Sequence, residues 1–252
     1  MKKYLLEVCV DSVESACIAA ANGADRLELC SNLVIGGTTP TLALFEEIRK
    51  KCNCLINVLI RPRFGDFCYS DWEYEVIKRE IRQFVKAGAD GIVIGFLKPD
   101  GNLDCDRMEE GISLARGKHV TLHRAFDVCR DPYQALEQAA QLGVNTILTS
   151  GQEKDCMAGL SCLKALALAA GDRIAIMAGS GVSPDNMKTL HEEAGIRHFH
   201  MSGKKTLASR MEYRRENVPM GIPAFSEFEI WQTDGEKVAR GADILKGFLQ
   251  ES

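Results

Sequence analysis

The sequence predicts an α/β fold, and within that class a single (β/α)8 TIM barrel. Three observations carry the prediction. The first is length: 252 residues suit one barrel, a fold that often fills ~250 residues as one domain. The second is a pulse that returns four times, in which a helix-like segment ends in glycine and an apolar strand follows at once. It reads Gly23-Ala24-Asp25-Arg26-Leu27-Glu28-Leu29, then Gly88-Ala89-Asp90-Gly91-Ile92-Val93-Ile94. It returns as Gly143-Val144-Asn145-Thr146-Ile147-Leu148-Thr149 and Gly195-Ile196-Arg197-His198-Phe199-His200-Met201. Glycine takes the left-handed conformation that ends a helix at little cost. The third is spacing. A βα unit takes about 25–30 residues, so intervals of roughly 50–65 residues between these glycines hold two units each.

The remaining strands fall in those intervals, at residues 4–10, 54–60, 119–123 and 173–178. Eight strands alternating with helices imply a parallel sheet. An open doubly wound sheet would favour a Gly-rich dinucleotide turn after the first strand. Here that turn is Asp11-Ser12-Val13-Glu14-Ser15, without glycine, which favours closure.

The helices follow in order. Ser12 caps the first, which turns Ala16, Ala19 and Ala20 towards the sheet. Ser70 and Glu73 form a capping box before a long amphipathic helix that runs towards Ala87. Asp131-Pro132 puts proline at a first helical position, and Ser183-Pro184 does the same before residues 185–193. Residues 206–234 hold Pro219, Gly221 and Pro223, lack periodicity, and read as an irregular extension. Residues 235–249 read as the closing helix. With no boundary signal, residues 1–252 are expected to form one domain.

A net charge of −4 argues against nucleic acid as the main partner, because phosphate binding normally needs a basic excess. The start Met1-Lys2-Lys3 is basic, but Glu7 interrupts the apolar stretch before a signal sequence can form. No run approaches the ~20 apolar residues of a membrane span. The expectation is a cytoplasmic chain with no membrane partner. Ten cysteines are scattered without C-x-x-C spacing, and most read as free, partly buried thiols.

Parallel barrel strands should be nearly continuous in apolar residues. Several here are not, and the exceptions gather at strand C-terminal ends, where barrels carry their active sites. Glu7 and Glu28 lie inside the first two strands, and Cys9 and Cys30 follow two residues later on the same sides. The third strand ends Ile60-Arg61-Pro62-Arg63-Phe64-Gly65-Asp66-Phe67, where arginine forks suit a carboxylate or phosphate. The fifth ends His123-Arg124-Ala125-Phe126-Asp127, the sixth Thr149-Ser150-Gly151, and the seventh Ala178-Gly179-Ser180-Gly181. The eighth carries His198, His200, Ser202 and Gly203. Loops after strands seven and eight, with a short helix N-terminus, are a common phosphate site in barrels.

Roles follow from residue type. Glu7, Glu28, His123 and Asp127 are the acid/base candidates. Arg61, Arg63, Asp66, Arg124, Ser150, Gly179, Gly181, His200 and Ser202 are candidates for binding a small anionic ligand. The competing reading pairs Glu7 and Glu28 with Arg61 or Arg124 in a purely structural network, since buried charges persist only when paired. No lysine sits inside a late strand for Schiff-base chemistry: Lys98 and Lys204 lie beyond strand ends. There is no Walker loop and no His-x-His on the first strand.

The chain resembles the CutC family over roughly residues 4–215. The resemblance rests on Gly23-Ala24-Asp25-Arg26-Leu27-Glu28-Leu29-Cys30, Gly36-Gly37-Thr38-Thr39-Pro40, the Ile60–Phe67 segment with Tyr69-Ser70, and Thr121-Leu122-His123-Arg124-Ala125-Phe126-Asp127. Leu148-Thr149-Ser150-Gly151 and Met177-Ala178-Gly179-Ser180-Gly181-Val182 complete it. It implies a barrel, a cytoplasmic location, a homodimer or homotetramer, and a role in copper homeostasis. It also points to Cys30 and Cys52 as Cu(I) ligands, consistent with the preference of Cu(I) for thiolates. Cys30 ends a strand, however, while Cys52 and Cys54 precede the next one, at the opposite face. A Cys9–Cys30 pair is sterically more reasonable. Two functions stay open: copper binding, or an isomerase- or lyase-type barrel enzyme acting on a small anionic, possibly phosphorylated, metabolite.

Overall fold

A computed structural model describes residues 3–215, 217–218, 220–222 and 225–250. Eight strands close into a parallel barrel in sequence order: β1 (Leu5–Val10), β2 (Arg26–Leu29), β3 (Leu55–Leu59), β4 (Gly91–Ile94), β5 (His119–Leu122), β6 (Thr146–Thr149), β7 (Ala175–Ala178) and β8 (His198–Met201). β8 pairs with β1 to complete the ring, with Glu7 opposite His200. The helices around it are α1 (Val13–Ala21), α2 (Leu42–Lys51), α3 (Asp71–Lys86), α4 (Cys105–Leu114), α5 (Pro132–Gln141), α6 (Leu160–Ala170), α7 (Met187–Ala194) and α8 (Gly235–Gln250). The expected strands at 4–10, 54–60, 119–123 and 173–178 are present, each trimmed by one or two residues in total. Gly23, Gly88, Gly143 and Gly195, which set the pulse, all hold positive φ.

The caps act as the side chains dictate. Ser12 accepts from the Ser15 amide, and Ser70 with Glu73 forms a reciprocal capping box. Asp131 caps α5 with Pro132 at its start. The expectation for Pro184 is corrected: α7 begins at Met187, not at Pro184. The Asn186 side chain accepts from the Ser183 amide and donates to the Gly181 carbonyl, which winds residues 184–186 into a separate turn. The helix start therefore lies several residues beyond the Gly179–Gly181 loop that it was expected to join.

The extension after β8 is less irregular than its composition suggests. β9 (Lys204–Ala208) and β10 (Glu229–Thr233) pair antiparallel, so both ends of the 206–234 segment belong to a ribbon. Lys204 lies over the Trp231 ring, 3.0 Å from its centroid, which fastens that ribbon. Pro219 and Pro223, read as part of the extension, and the Met1-Lys2 start lie outside the described residues.

The departures from continuous apolar strands run along the whole barrel interior and not only at strand C-terminal ends. The strands alternate. Their outward residues, such as Leu6, Val8, Leu27, Ile56, Val58, Ile92, Ile94, Leu122, Ile147 and Phe199, are fully or almost fully buried against the helices. Their inward residues include Glu7, Arg26, Glu28, Asn57, His119, Thr121, Thr146 and His198, all buried or nearly so. The hydrophobic core is therefore the layer between sheet and helices, while the barrel interior is largely polar. Among the described residues, only small apolar groups remain inside: Leu5 with Leu148 and Met177, and Cys9 with Cys30, Leu59 and Val93.

Candidate functional site

The register places the inward charges in layers. Glu7 stands opposite Arg26 on β2 and His200 on β8, and Cys9 stands opposite Glu28. In the deeper layer, Glu7 Oε2 accepts from Arg26 Nε at 2.5 Å and Glu7 Oε1 contacts His200 Nδ1 at 2.8 Å. Arg26 Nη1 reaches His119 Nε2 at 3.3 Å, and His119 Nε2 also meets Thr146 Oγ1 at 3.2 Å. Burial alone would lift the Glu7 carboxyl, but the Arg26 guanidinium and His200 outweigh it and hold it at about 2. Burial and the neighbouring Arg26 push His119 down to about 4, so its ring is neutral at pH 7.

Above this layer the barrel mouth opens into a cavity of about 320 Å³. With Nδ1 held by Glu7, His200 presents Nε2 to the cavity, 3.8 Å from Glu28 Oε2. Burial pushes Glu28 up to about 7, against the pull of His200 and with Glu7 adding to the rise. Burial opposes charge on His200, and Glu28, Cys9 and Glu7 together carry it well above the ordinary imidazole value. One donor atom each from Cys9, Glu28 and His200 lie within 4.8 Å of one another. Cys30 borders the same pocket as a fully buried thiol, pushed well up by burial and by the adjacent Cys9 and Glu28.

On the far wall, His123 is buried and its Nδ1 accepts from the Ala125 amide at 3.1 Å. That bond fixes the proton on Nε2, which is buried and has no partner among the described residues. Burial, with Arg61 beside it, lowers His123 to about 3, so the ring is a neutral donor. Gly95 makes room for it: a Cβ there would stand 2.6 Å from His123 Cε1.

The candidate residues separate clearly. Cys9, Glu28, Cys30, Arg61, His123, Arg124, Gly181, His200 and Ser202 line the cavity, whereas Glu7 lies beneath it. Arg61 does not offer the free fork expected of it. Its Nη1 donates to the Gly36 and Gly37 carbonyls at 3.2 and 3.0 Å, and its Nη2 to the Gly65 carbonyl at 2.9 Å. It clamps two loops together, with Phe67 stacked 5.1 Å away. Arg63 and Asp66 bond to each other outside the lining, and Arg63 also holds Glu73. Asp127 is committed as well: it accepts from Thr149 Oγ1, the Ser150 and Gln152 amides and Arg124 Nε, and it does not line the cavity. Ser150 Oγ accepts from Arg124 and donates to the Glu153 carbonyl. Gly179 packs close against Leu148 and does not itself line the cavity. Cys52 does not join Cys9 and Cys30: its Sγ lies 3.8 Å from Cys17 Sγ, because it precedes β3 rather than ending a strand.

Arg26 is the main omission from the sequence reading. Its signal was available, since it is a charged residue inside a strand at the same parity as Glu28. Lys204 lines the mouth although it lies beyond β8, brought there by the ribbon. A larger groove of about 590 Å³ lies at the opposite end of the barrel, between α6, β7, α7 and β8. That is the face where barrels carry stability rather than chemistry, and no comparable group of metal-ligating side chains occurs there among the described residues.

A family model described as the CutC family matches residues 4–205. The chain belongs to the CutC family. A CutC family protein of Bacteroides thetaiotaomicron is 42% identical over 248 residues, 98% of this chain and 100% of the relative. The human copper homeostasis protein cutC homolog is 42% identical over 247 residues, covering 98% of this CutC-family chain and 90% of its own length. A solved structure described as a copper homeostasis protein CutC, from Streptococcus agalactiae, superimposes with a TM-score of 0.75 at 30% identity, covering 79% of this chain and 98% of that one.

Proposed function

We propose that this chain serves copper homeostasis by holding Cu(I) as cargo at the barrel mouth, between Cys9 and His200 with Glu28 beside them. The observation that carries the reading is the convergence of these three donors within 4.8 Å on three different strands. A thiolate and an imidazole suit Cu(I), and a carboxylate is the harder, weaker partner. Glu7 orients the site: its bond to Nδ1 leaves His200 Nε2 as the available donor, as second partners of metal-binding histidines do. Cys9 loses its proton when it ligates a soft metal. Cys30 supports the pocket wall as a neighbouring thiol. The names of the human and bacterial relatives agree with this role.

The setting that goes with this reading is cytoplasmic, with no nucleic-acid partner. Among the described residues, no helix is long and apolar enough to cross a membrane. The assembly is a homodimer or homotetramer, supported by exposed Met211, Tyr213, Met220, Ile222 and Phe225 in the extension. Light scattering of the purified chain reads the oligomer size directly.

Competition titration against a Cu(I) chelator tests the site. Cys9→Ser and His200→Asn should each weaken Cu(I) binding by at least roughly tenfold, the loss expected even for a partner that only orients a ligand. Cys52→Ser should leave it unchanged. Wild-type affinity in Cys9→Ser would sink the proposal.

A further inference from the structure

The Cu(I) reading uses only the β1, β2 and β8 side of the mouth. The opposite side has a different chemistry. The whole chain is acidic, at −4, yet Arg61, Arg124, Lys204 and His200 line the cavity against the single carboxylate Glu28. Arg61 is spent on carbonyls, but Arg124 is not. Its Nε and Nη2 hold Asp127 and Ser150, and its Nη1 bonds to none of the described residues.

The loop after β7 adds backbone donors. Ser180 sits at φ +65 and Gly181 at +79. A left-handed serine is strained, and such strain persists only where surrounding contacts enforce it. Here the loop after β6 does so: Ser180 Oγ donates to the Lys154 carbonyl at 3.0 Å, and the Ser180 carbonyl accepts from the Cys156 amide at 2.9 Å. In this conformation the Ser180, Gly181 and Val182 amides have no acceptor among the described residues, and all three residues line the cavity. Val182 is buried and Ser180 half-buried, where polar backbone groups normally find a partner; Gly181 is exposed beside them. The buried Nε2–H of His123 is a fourth unmatched donor on the same cavity.

We infer that this half of the mouth binds a small organic oxyanion, its phosphate or carboxylate head on the Ser180–Val182 amides, Arg124 and Lys204, and a hydroxyl or carbonyl oxygen accepting from His123 Nε2. Every donor named is a donor only, so the complementary ligand is an acceptor with negative charge. A cavity of about 320 Å³ is at the small end of ligand pockets, which limits the occupant to a compact metabolite. None of these residues is a proposed copper ligand, so the two sites stand or fall separately.

The test uses the full-length, 15N-labelled chain titrated with inorganic phosphate, 2-phosphoglycolate and malonate, following backbone amides by NMR and affinity by calorimetry. The Ser180, Gly181 and Val182 amides should shift saturably. Tighter binding of 2-phosphoglycolate than malonate identifies a phosphate ester as the ligand class, and the reverse order a carboxylate. Arg124→Gln and Lys204→Met should each weaken binding by about tenfold, equivalent to one charge-assisted contact, in chains whose circular dichroism shows the barrel still folded. Cys9→Ser should bind these anions as wild type does. No saturable shift up to about 10 mM, well above the millimolar range of weak metabolite binding, overturns the inference. So does equal affinity in wild type and both charge variants.

Discussion

Replacing Arg26 with methionine isolates the polar interior from the rest of the fold. Methionine keeps most of the volume and the contact with the apolar end of the interior, where Arg26 Nη2 now meets Met177 Sδ. It removes the guanidinium that offsets Glu7, which is fully buried. Holding Glu7 at about 2 instead of the ordinary 4.5 corresponds to about 3 kcal/mol of stability at neutral pH. Independently, removing one partner of a buried pair typically costs about 3–5 kcal/mol. His200 still bonds Glu7, so the lower figure is expected. For a chain of this size, about 3 kcal/mol lowers the melting temperature by roughly 6–12 °C. The pH dependence gives a second readout. In the wild type, the folded value lies below the unfolded one, so this stability is present above pH 4.5 and is lost as pH falls towards 2. In Arg26→Met, burial raises Glu7 instead, so the penalty is full at pH 7 and shrinks as the carboxyl protonates in acid. Urea unfolding followed by circular dichroism at pH 7 and pH 5 measures both. The double variant Glu7→Gln/Arg26→Met should recover most of the loss. A penalty under about 1 kcal/mol at pH 7, typical of an exposed pair, would refute the reasoning, as would a double variant no more stable than Arg26→Met.

Two further outcomes follow from the same interior. Gly91→Ala places a Cβ 2.3 Å from Asn57 Oδ1 and 2.8 Å from the His119 carbonyl, inside a closed ring that cannot spread, so it should cost about 3 kcal/mol or more in urea unfolding; a near-neutral result would show that the barrel can widen there. His119 and His123 titrate at about 4 and 3 when folded, below the ordinary 6.5, so their contribution is complete above pH 6.5 and is lost as pH falls through those values; His123→Gln should flatten the fall in stability between pH 6 and 4, and an unchanged slope would count against a buried neutral ring.

The sequence made the architecture legible because its signals are local. A glycine in the left-handed conformation before each of four strands is a backbone requirement that no neighbour can override, and all four hold it. The fate of the charges was less legible, because it depends on register and on which donor finds which acceptor. Glu7 and Glu28 were visible as charges inside strands, but their partners were expected to be Arg61 or Arg124. The structure pairs Glu7 with Arg26, one strand away and at the same parity. Arg61 and Asp127 looked equally reactive on residue type alone, yet backbone carbonyls and amides take up most of their bonding capacity. Such saturation arises from loop conformation and leaves no periodic trace. Lys204 reaches the mouth through a ribbon whose second strand lies more than twenty residues later, beyond any local pattern.

The Glu7–His200 contact joins residues 193 positions apart, and that span constrains how the molecule can be made. As the chain leaves the ribosome, β1 emerges first and must wait for its last neighbour. Until β8 arrives, its outer edge is an unpaired template for another strand. Closure then depends on the tail. The Thr233 amide bonds the Ser15 hydroxyl, and α8 covers the β1 side of the seam, with Gly241 lying close to Leu6 and Met201. Matching by long-range pairing of this kind is slow. The β1–β8 seam also brings Cys9 and Glu28 together with His200, so the donor cluster stays incomplete until residues 198–201 have been made and paired.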